Sequence, residues 1–209
     1  AVRIWRGFRN AALSEATFFA DLGSVFVPAT VALQWPSGLD AYIPSFPAGK
    51  GKPATVPDET AILFWDSQLT YHNGFNTLAI RTYTMTHASV YDTRNHMSTA
   101  DFPTLYQGTI AAGQCYYLFA ASIDWMQGTV FHLAGGRPAN VTPSAFLSSI
   151  QTWATQYQER NPDRAAGAIV CATADYIVFW ACLPRGKSGK EMAALTRLCT
   201  VYHNEAARP

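Results

Sequence analysis

The sequence has little charge and no long apolar run. Charged residues make up 14% of its 209 residues, against about 25% in an average soluble domain. The formal net charge is only +1, and no basic stripe with interleaved aromatic residues is present, so we expect no nucleic-acid partner. No apolar stretch approaches the roughly 18 residues of a membrane-spanning helix, so we expect no membrane association.

Cysteines in metal-binding spacing are also lacking. The four cysteines, Cys115, Cys171, Cys182 and Cys199, form no C-x-x-C pair, which argues against a zinc site. A hairpin that turns near Asp175 would place Cys171 opposite roughly Val178 rather than Cys182, so a disulfide is not expected. Free thiols indicate a reducing compartment, and we expect a cytoplasmic protein.

Apolar side chains, by contrast, are abundant. The chain is 49% hydrophobic and 13% aromatic, and its length allows one domain or two small ones with a sizeable core. Part of this apolar surface is expected in a ligand pocket or a subunit interface. We therefore expect a small-molecule ligand, and a homo-oligomer is an open alternative to a monomer.

The stretch Thr60–Asp92 organises the rest of the chain. Its apolar run Ala61–Trp65 has the length of a buried strand, and Asp66 or Ser67 can cap a following helix. A hairpin turning at Asn73–Gly74 is the alternative to that helix. The helix is favoured by apolar and small residues at helical spacing, namely Phe75, Leu78, Ala79, Thr82, Met85 and Thr86.

Two patterns from this stretch return near the end of the chain. Ile62–Trp65 is answered by Ile177–Trp180 at an offset of 115. The pattern Arg81-x-x-Thr-Met-x-His87 is answered by Arg197-x-x-Thr-Val-x-His203 at an offset of 116. Two matches at nearly one offset indicate an internal duplication.

The order of elements predicts the fold class. The expected elements are a strand at 2–8, a helix at 14–33, a loop at 34–60 with a short strand near 41–43, strands at 115–121 and 129–133, a helix at 142–160, a hairpin at 165–183 and a final helix to about 206. Strand–helix–strand–strand–helix, seen twice, is the plan of ferredoxin-like halves. We predict an α+β protein of two ferredoxin-like βαββα(β) repeats, residues 1–100 and 101–209, that form a pseudo-dimeric α+β barrel.

The duplicated motif contains the first candidate site residues, His87 and His203. One of them could line a pocket between helix and sheet, where an imidazole can move a proton near neutral pH. The alternative is structural, with both rings capping carbonyl groups near the ends of helices. His87 could also bind a metal with Asp92 and His96, although their spacing does not gather them on one helix face.

Short motifs in the second half of the chain point to a known family. They are Thr104-Leu105-Tyr106, Asp124-Trp125-Met126-Gln127, Ala134-Gly135-x-x-Pro138, Phe179-Trp180-Ala181 and Val201-Tyr202-His203. With these motifs in this order, the chain resembles the haem-containing aldoxime dehydratases of the dimeric α+β barrel superfamily. The resemblance implies a lyase that converts an aldoxime to a nitrile, with haem iron binding the oxime nitrogen.

The resemblance also implies roles for particular residues. His203 matches the distal acid that protonates the departing hydroxyl group, which is a poor leaving group without that proton. Residues 181–202 contain no histidine at the place of the family's proximal iron ligand. The iron ligand is then expected among His72, His87 and His132. Arg81 or Arg197 would hold a haem propionate or polarise the substrate, and Trp125 would contact the haem.

Two further functions remain open at this stage. One is a cofactor-independent monooxygenase or cyclase of the same fold that acts on an aromatic or polyketide-like compound. His87 would be its base, and its apolar pocket would be shaped by Trp65, Tyr83, Trp125 and Trp180. The other is a non-catalytic protein that binds haem or another ligand. An absorbance band of bound haem would separate the haem-dependent accounts from the cofactor-independent enzyme.

Overall fold

The chain forms two compact units. The structure, a computed structural model, describes residues 1–93, 98–120, 123–161, 167–184 and 192–207. Unit 1 comprises Ala1–Pro44 and Pro57–Phe102, and unit 2 comprises Ser45–Val56 and Pro103–Pro209. Each unit contributes its own sheet of mainly antiparallel strands, one of four strands and one of six.

Unit 1 has the ferredoxin-like connectivity. Its elements are β1 (Val2–Gly7), α1 (Glu15–Asp21), α2 (Val27–Gln34), β2 (Leu39–Ser45), β3 (Glu59–Trp65), α3 (Gln68–Gly74), α4 (Leu78–Val90) and β4 (Thr99–Asp101). The strand order is β2-β3-β1-β4, and β1 runs antiparallel to both β3 and β4. This is the split βαββαβ arrangement, in which the first strand lies between the third and the fourth.

Unit 2 repeats the same plan and adds two short strands. Its elements are β5 (Thr104–Leu105), β6 (Cys115–Tyr117), β7 (Thr129–Gly136), α5 (Pro143–Arg160), β8 (Gly167–Ala172), β9 (Tyr176–Leu183), α6 (Met192–Leu195) and β10 (Thr200–Ala207). The order β10-β7-β9-β8 matches that of unit 1, and β6 and β5 extend the β8 edge. The prediction of an α+β fold built from two ferredoxin-like repeats is confirmed.

Only one of the two repeated sequence patterns occupies equivalent elements in both repeats. Ile62–Trp65 lies in β3 and Ile177–Trp180 in β9, which are the third strands of their repeats. The match Arg81–His87 lies in α4, whereas Arg197–His203 runs from a turn into β10. The predicted final helix is therefore wrong over residues 200–206. Its Thr-Val-Tyr run suits a strand, and pairing along β7 outweighs the helical spacing.

The central stretch follows its prediction. β3 is buried along its whole length, and Ser67, not Asp66, caps the helix by accepting a hydrogen bond from the backbone N–H of Thr70 at 2.9 Å. The helix is interrupted before Leu78, where Thr77 caps α4. The choice of helix over hairpin is confirmed. The residues that predicted it mostly face outward, since Leu78 is 80% and Met85 is 79% exposed. The face that α4 buries is formed instead by Ile80, Tyr83 and Val90.

The N-terminal helical run, Glu15–Ser37, buries Phe18, Leu22 and Phe26 together with two polar side chains, and it leaves several large apolar side chains exposed. Thr30 and Gln34 are buried, whereas Val25 is 64% exposed and Trp35 is 62% exposed. By length and composition alone, this run could cross a membrane. This is weak evidence for a membrane-spanning helix, because core helices of soluble proteins and signal sequences near the N-terminus meet the same criteria. The buried polar side chains of this run, Thr30 and Gln34, line the cavity described below.

The four cysteines all lie among the described residues, where they are buried and form no disulfide. Cys171 pairs with Val178 in the β8–β9 ladder, as the sequence predicts for a hairpin that turns near Asp175. Burial raises the pKa of Cys199 to about 12 and that of Cys182 to about 11. These two thiols are therefore protonated at neutral pH and are not activated nucleophiles.

Candidate functional site

A cavity of about 360 Å³ lies within unit 1, between its sheet and its helices. Alternate residues of a strand point to the same face, and the β1–β3 register pairs Arg3 with Leu63 and Trp5 with Ala61. Arg3, Trp5 and Leu63 therefore face the helices and line this cavity. Trp65 extends the same row at the end of β3.

The cavity wall is largely aromatic, with a few polar groups. Its rings are contributed by Trp5, Phe26, Tyr42, Trp65, Tyr71, Phe75 and Tyr83. The other polar side chains that line it are Arg3, Thr30, Gln34, Thr84, His87, Thr93 and Ser98. An apolar cavity with a small number of placed polar groups is typical of a small-molecule site.

His87 has a defined tautomer. Its Nδ1 lies 3.3 Å from the carbonyl oxygen of Tyr83 and 3.1 Å from that of Thr84, one turn earlier in α4. A carbonyl oxygen can only accept a hydrogen bond, so the hydrogen-bond network assigns the ring proton to Nδ1. Nε2 then keeps its lone pair and can take a proton from a ligand.

The surroundings of His87 keep its ring neutral. Trp5, Phe26 and Tyr83 contact the imidazole edge to face at centroid distances of 5.3, 4.9 and 4.9 Å. Burial lowers the pKa of His87, the positive charge of Arg3 lowers it further, and the two carbonyl contacts oppose the shift. At neutral pH His87 is therefore an uncharged base at the cavity wall.

Glu59, at the start of β3, is a fully buried carboxyl group behind the same wall. It accepts a hydrogen bond from Trp5 Nε1 at 3.0 Å and one each from the hydroxyl groups of Tyr42 and Tyr91. Gly7 lies opposite Glu59, and a Cβ there would meet the Tyr91 ring at 2.5 Å. Burial raises the pKa of Glu59, against the three hydrogen bonds that favour the charged form.

The bond between Tyr42 and Glu59 fixes how Tyr42 meets a ligand. A carboxylate only accepts, so the hydroxyl hydrogen of Tyr42 points at Glu59. Its oxygen keeps lone pairs that can accept a hydrogen bond, and Tyr42 is one of the residues that line the cavity. Burial, with Glu59 adding to it, raises the pKa of Tyr42 far above the usual range. Tyr42 is thus a neutral acceptor, suited to a ligand hydroxyl group.

The structure separates the residues that were predicted to bind a cofactor. His87 lines the cavity, as do Trp65 and Tyr83 of the predicted apolar pocket. His72 is exposed on α3, and Arg81 is exposed and donates from Nε to a backbone carbonyl at 2.8 Å. Trp125 lies in unit 2, in a turn before β7.

The predicted acid His203 and its companion Arg197 belong to unit 2. The His203 ring lies 4.7 Å from that of His132, which stacks on Trp180 at 3.8 Å between centroids. His203 Nε2 is 3.9 Å from Glu205, and burial lowers the pKa of His203 despite that carboxylate. Arg197 is exposed in the turn before β10. Neither residue lines the cavity of unit 1.

The cavity gathers only part of the residues predicted to hold haem. Of the three candidate iron ligands, His72 is exposed on α3, His132 is buried against Trp180, and His87 lines the cavity. Arg81 and Trp125 of the predicted set do not line it, so the residues present do not form the predicted haem site. Within the described ranges no group of three or more His, Cys, Asp or Glu side chains could hold a metal ion. His96, proposed as a companion ligand, lies outside those ranges.

Sequence reasoning missed several residues of this site, above all Arg3, Tyr42 and Glu59. A signal for Arg3 existed, because Arg3 and Trp5 alternate in a predicted strand and so share one face. Tyr42 falls in the short strand predicted near 41–43. Glu59 lies two residues before the predicted strand Ala61–Trp65, and its pairing with Gly7 of β1 could not be predicted without the strand register.

Comparisons with known proteins give only distant similarity. No family model matches the chain, and no curated protein matches it. A solved "putative monooxygenase" from Lactobacillus acidophilus shares 8% identity at a TM-score of 0.39, covering 98% of this chain and 90% of its own. Another from Fusobacterium nucleatum shares 11% identity at a TM-score of 0.34, covering 99% and 89%. Nothing in these comparisons supports the aldoxime dehydratase family specifically, and the fold assignment rests on strand order and connectivity.

Proposed function

We propose that this protein is a cofactor-independent enzyme of the monooxygenase type that oxidises an aromatic hydroxyl compound in the cavity of unit 1. The observation that carries the proposal is the neutral His87, whose free Nε2 meets an aromatic-lined cavity. A base with a pKa near or below neutrality is suited to removing a proton from an activated phenol or enol.

The first step is binding and deprotonation. A planar substrate packs against the indole rings of Trp5 and Trp65, and aromatic contacts of this kind orient a ring as well as burying it. A ligand hydroxyl donates to the Tyr42 oxygen. His87 Nε2 then removes a proton from the acidic position of the substrate, which leaves a delocalised anion and an imidazolium ring.

The second step transfers electrons from that anion to dioxygen. In a compound with a CH₂ group between a phenolic ring and a carbonyl group, both C–H bonds break and a C=O bond forms. One oxygen atom enters the product, and the other leaves with two hydrogens as water. All four electrons that dioxygen accepts come from the substrate, and His87 returns its proton to the departing oxygen. No other reductant is needed for the balance.

The test begins with binding and then follows oxygen. Polycyclic phenols that carry a CH₂ group between the phenolic ring and a carbonyl group would be screened by calorimetry against the purified protein, and each binder would be incubated in an oxygen-electrode cell with no added cofactor. We expect one O₂ consumed per carbonyl group formed. The proposal fails if no phenol binds, or if bound phenols leave the oxygen concentration unchanged.

A cyclase that starts from the same anion is the second candidate. The same base and aromatic wall support it, because ring closure also begins with deprotonation at an activated carbon. A product formed from a bound phenol without oxygen uptake would favour this reaction over oxygenation. The haem-dependent aldoxime lyase stays a prediction, and a Soret band of the protein produced with haem would be its first support.

A further inference from the structure

Arg3 is the one cationic side chain that lines the cavity among the described residues. Its Nη2 donates to the carbonyl oxygen of Ala100 at 3.1 Å. The guanidinium carbon lies 4.3 Å from the centroid of the Tyr71 ring and 5.8 Å from that of Phe102. Arg3 also has a side-chain hydrogen bond with Tyr71. These neighbours solvate the cation through a carbonyl dipole, a neutral hydroxyl group and aromatic faces. They do not neutralise it.

Arg3 forms no ion pair with a carboxylate of the described residues. The nearby acid Asp101 pairs with Arg6 instead. Asp101 acts on Arg3 through space, but its carboxylate is bound to Arg6. A partly buried charge without a counter-charge is costly, and a bound anion would remove that cost.

We propose that Arg3 is the anion-binding group of this cavity and that the ligand is a hydroxylated aromatic carboxylate. The carboxylate end would meet the guanidinium group, whose planar fork matches two carboxylate oxygens. The hydroxyl end would meet Tyr42 and His87, both of which accept hydrogen bonds. The inference names the substrate class of the proposed oxygenation and rests on that proposal for the hydroxyl end.

The spacing of the polar groups fits a ligand with two ends. Arg3 and Trp5 are two residues apart on the same face of β1, which places their Cα atoms roughly 7 Å from each other. The Trp5 ring in turn lies 5.3 Å from the His87 ring. Trp5 is therefore next to Arg3 on this face of β1 and in contact with the His87 ring, and an aromatic ring system lying along Trp5 could reach both.

The anion would also tune the base. The positive charge of Arg3 is one of the causes that lower the pKa of His87. A carboxylate on Arg3 cancels part of that charge, so the pKa of His87 rises when an anionic ligand binds. His87 therefore becomes a stronger base when the ligand is present, which is the sign that deprotonation of the ligand requires.

The test compares an acid with its ester. A hydroxynaphthoic acid with its two groups at opposite ends of the rings, and its methyl ester, would be titrated calorimetrically into the wild-type protein, Arg3→Met and Arg3→Lys. Arg160→Met, at an exposed arginine of α5, is the matched control. We expect the wild type to favour the acid by about tenfold to hundredfold, the range for a charged hydrogen bond. Arg3→Met should remove this preference, Arg3→Lys should keep part of it, and Arg160→Met should leave it unchanged.

Equal binding of acid and ester to the wild type would overturn the inference even if Arg3→Met fails to fold. Equal weakening of both ligands in Arg3→Met would assign Arg3 a purely structural role and overturn it as well. The proposed function is judged separately. Arg3-dependent binding of the acid, with no oxygen uptake on any bound phenol that carries the oxidisable CH₂ group, keeps the anion site and rejects the oxygenase. Oxidation of neutral and anionic phenols with equal affinity rejects the anion site alone.

Discussion

Replacing His87 by glutamine is expected to lower kcat/KM by about 10²- to 10⁴-fold on any phenol that the protein oxidises, the usual contribution of a positioned base. Glutamine keeps the length and a polar end, but its amide cannot take a proton at neutral pH. The cavity wall and the contact of Trp5 with this position are disturbed little. We therefore expect substrate affinity, measured by calorimetry, to change far less than turnover.

The pH profile should report the same residue. The titratable groups that act on His87 from the packed elements are Arg3 on β1, Tyr83 on α4 and Tyr91 after it. Because burial and Arg3 lower the pKa of His87, it is neutral at a lower pH than an ordinary imidazole, near 6.5. Activity should fall as pH drops through a value below about 6.5, and this acidic limb should be absent from the glutamine variant.

Controls for His87→Gln come from the same unit. Thr82→Ala alters an exposed residue of the same helix that does not line the cavity, and it should retain activity. Full activity in the His87 variant would contradict its role as base. A loss of activity in His72→Gln, with His87→Gln active, would instead favour the iron-ligand prediction made from the sequence.

Removing the carboxyl group of Glu59 is expected to lower the free energy of unfolding by more than about 3 kcal/mol. Glu59→Ala leaves three donors without their acceptor, those of Trp5, Tyr42 and Tyr91. Each buried polar group that loses its partner costs about 1–3 kcal/mol, and the lost side chain also leaves a cavity. Such a loss is a large part of the 5–15 kcal/mol that stabilises a typical domain. Urea unfolding followed by tryptophan fluorescence would measure it.

The pH dependence of stability gives a second measure of Glu59. Burial raises its pKa in the folded chain, so the folded state keeps a proton that the unfolded chain has released above its pKa near 4.3. Stability should therefore fall as pH rises from that value through the raised pKa of Glu59, and this slope should be absent from Glu59→Ala. Glu159→Ala, at an exposed position of α5, should change stability by less than about 0.5 kcal/mol. An equally small effect at Glu59 would contradict the network.

Local pattern was enough to predict most of the fold. The apolar run of β3, the periodic residues of α4 and the Pro-started helix α5 each carry their own signal, and the order of elements then determines the ferredoxin-like plan. Residues 200–206 were mispredicted because their spacing resembled a helix, while the strand they form depends on pairing with β7. That pairing is a long-range property, and a window of sequence does not contain it.

Of the residues that line the site, the sequence predicted those that could be recognised without knowing their neighbours in space. His87 was identified as a candidate base from its own motif and its place on a helix. The group around Glu59 depends on the β1–β3 register, which sets Gly7 opposite Glu59 across 52 positions of sequence. Arg3 was missed because its lack of a carboxylate partner becomes visible only when its neighbours are known. The resemblance directed attention to His203, which belongs to the other unit.

The most direct test of this account is the long-range ¹H–¹⁵N spectrum of the imidazole rings, recorded across pH and assigned for His87 by comparison with His87→Gln. We expect the signals of an imidazole with its proton on Nδ1 and an unprotonated Nε2, and a pKa below 6.5 that rises when a hydroxylated aromatic acid binds. A proton on Nε2 in the free protein, or a pKa at or above 6.5, would contradict the claim that His87 is the base of this cavity.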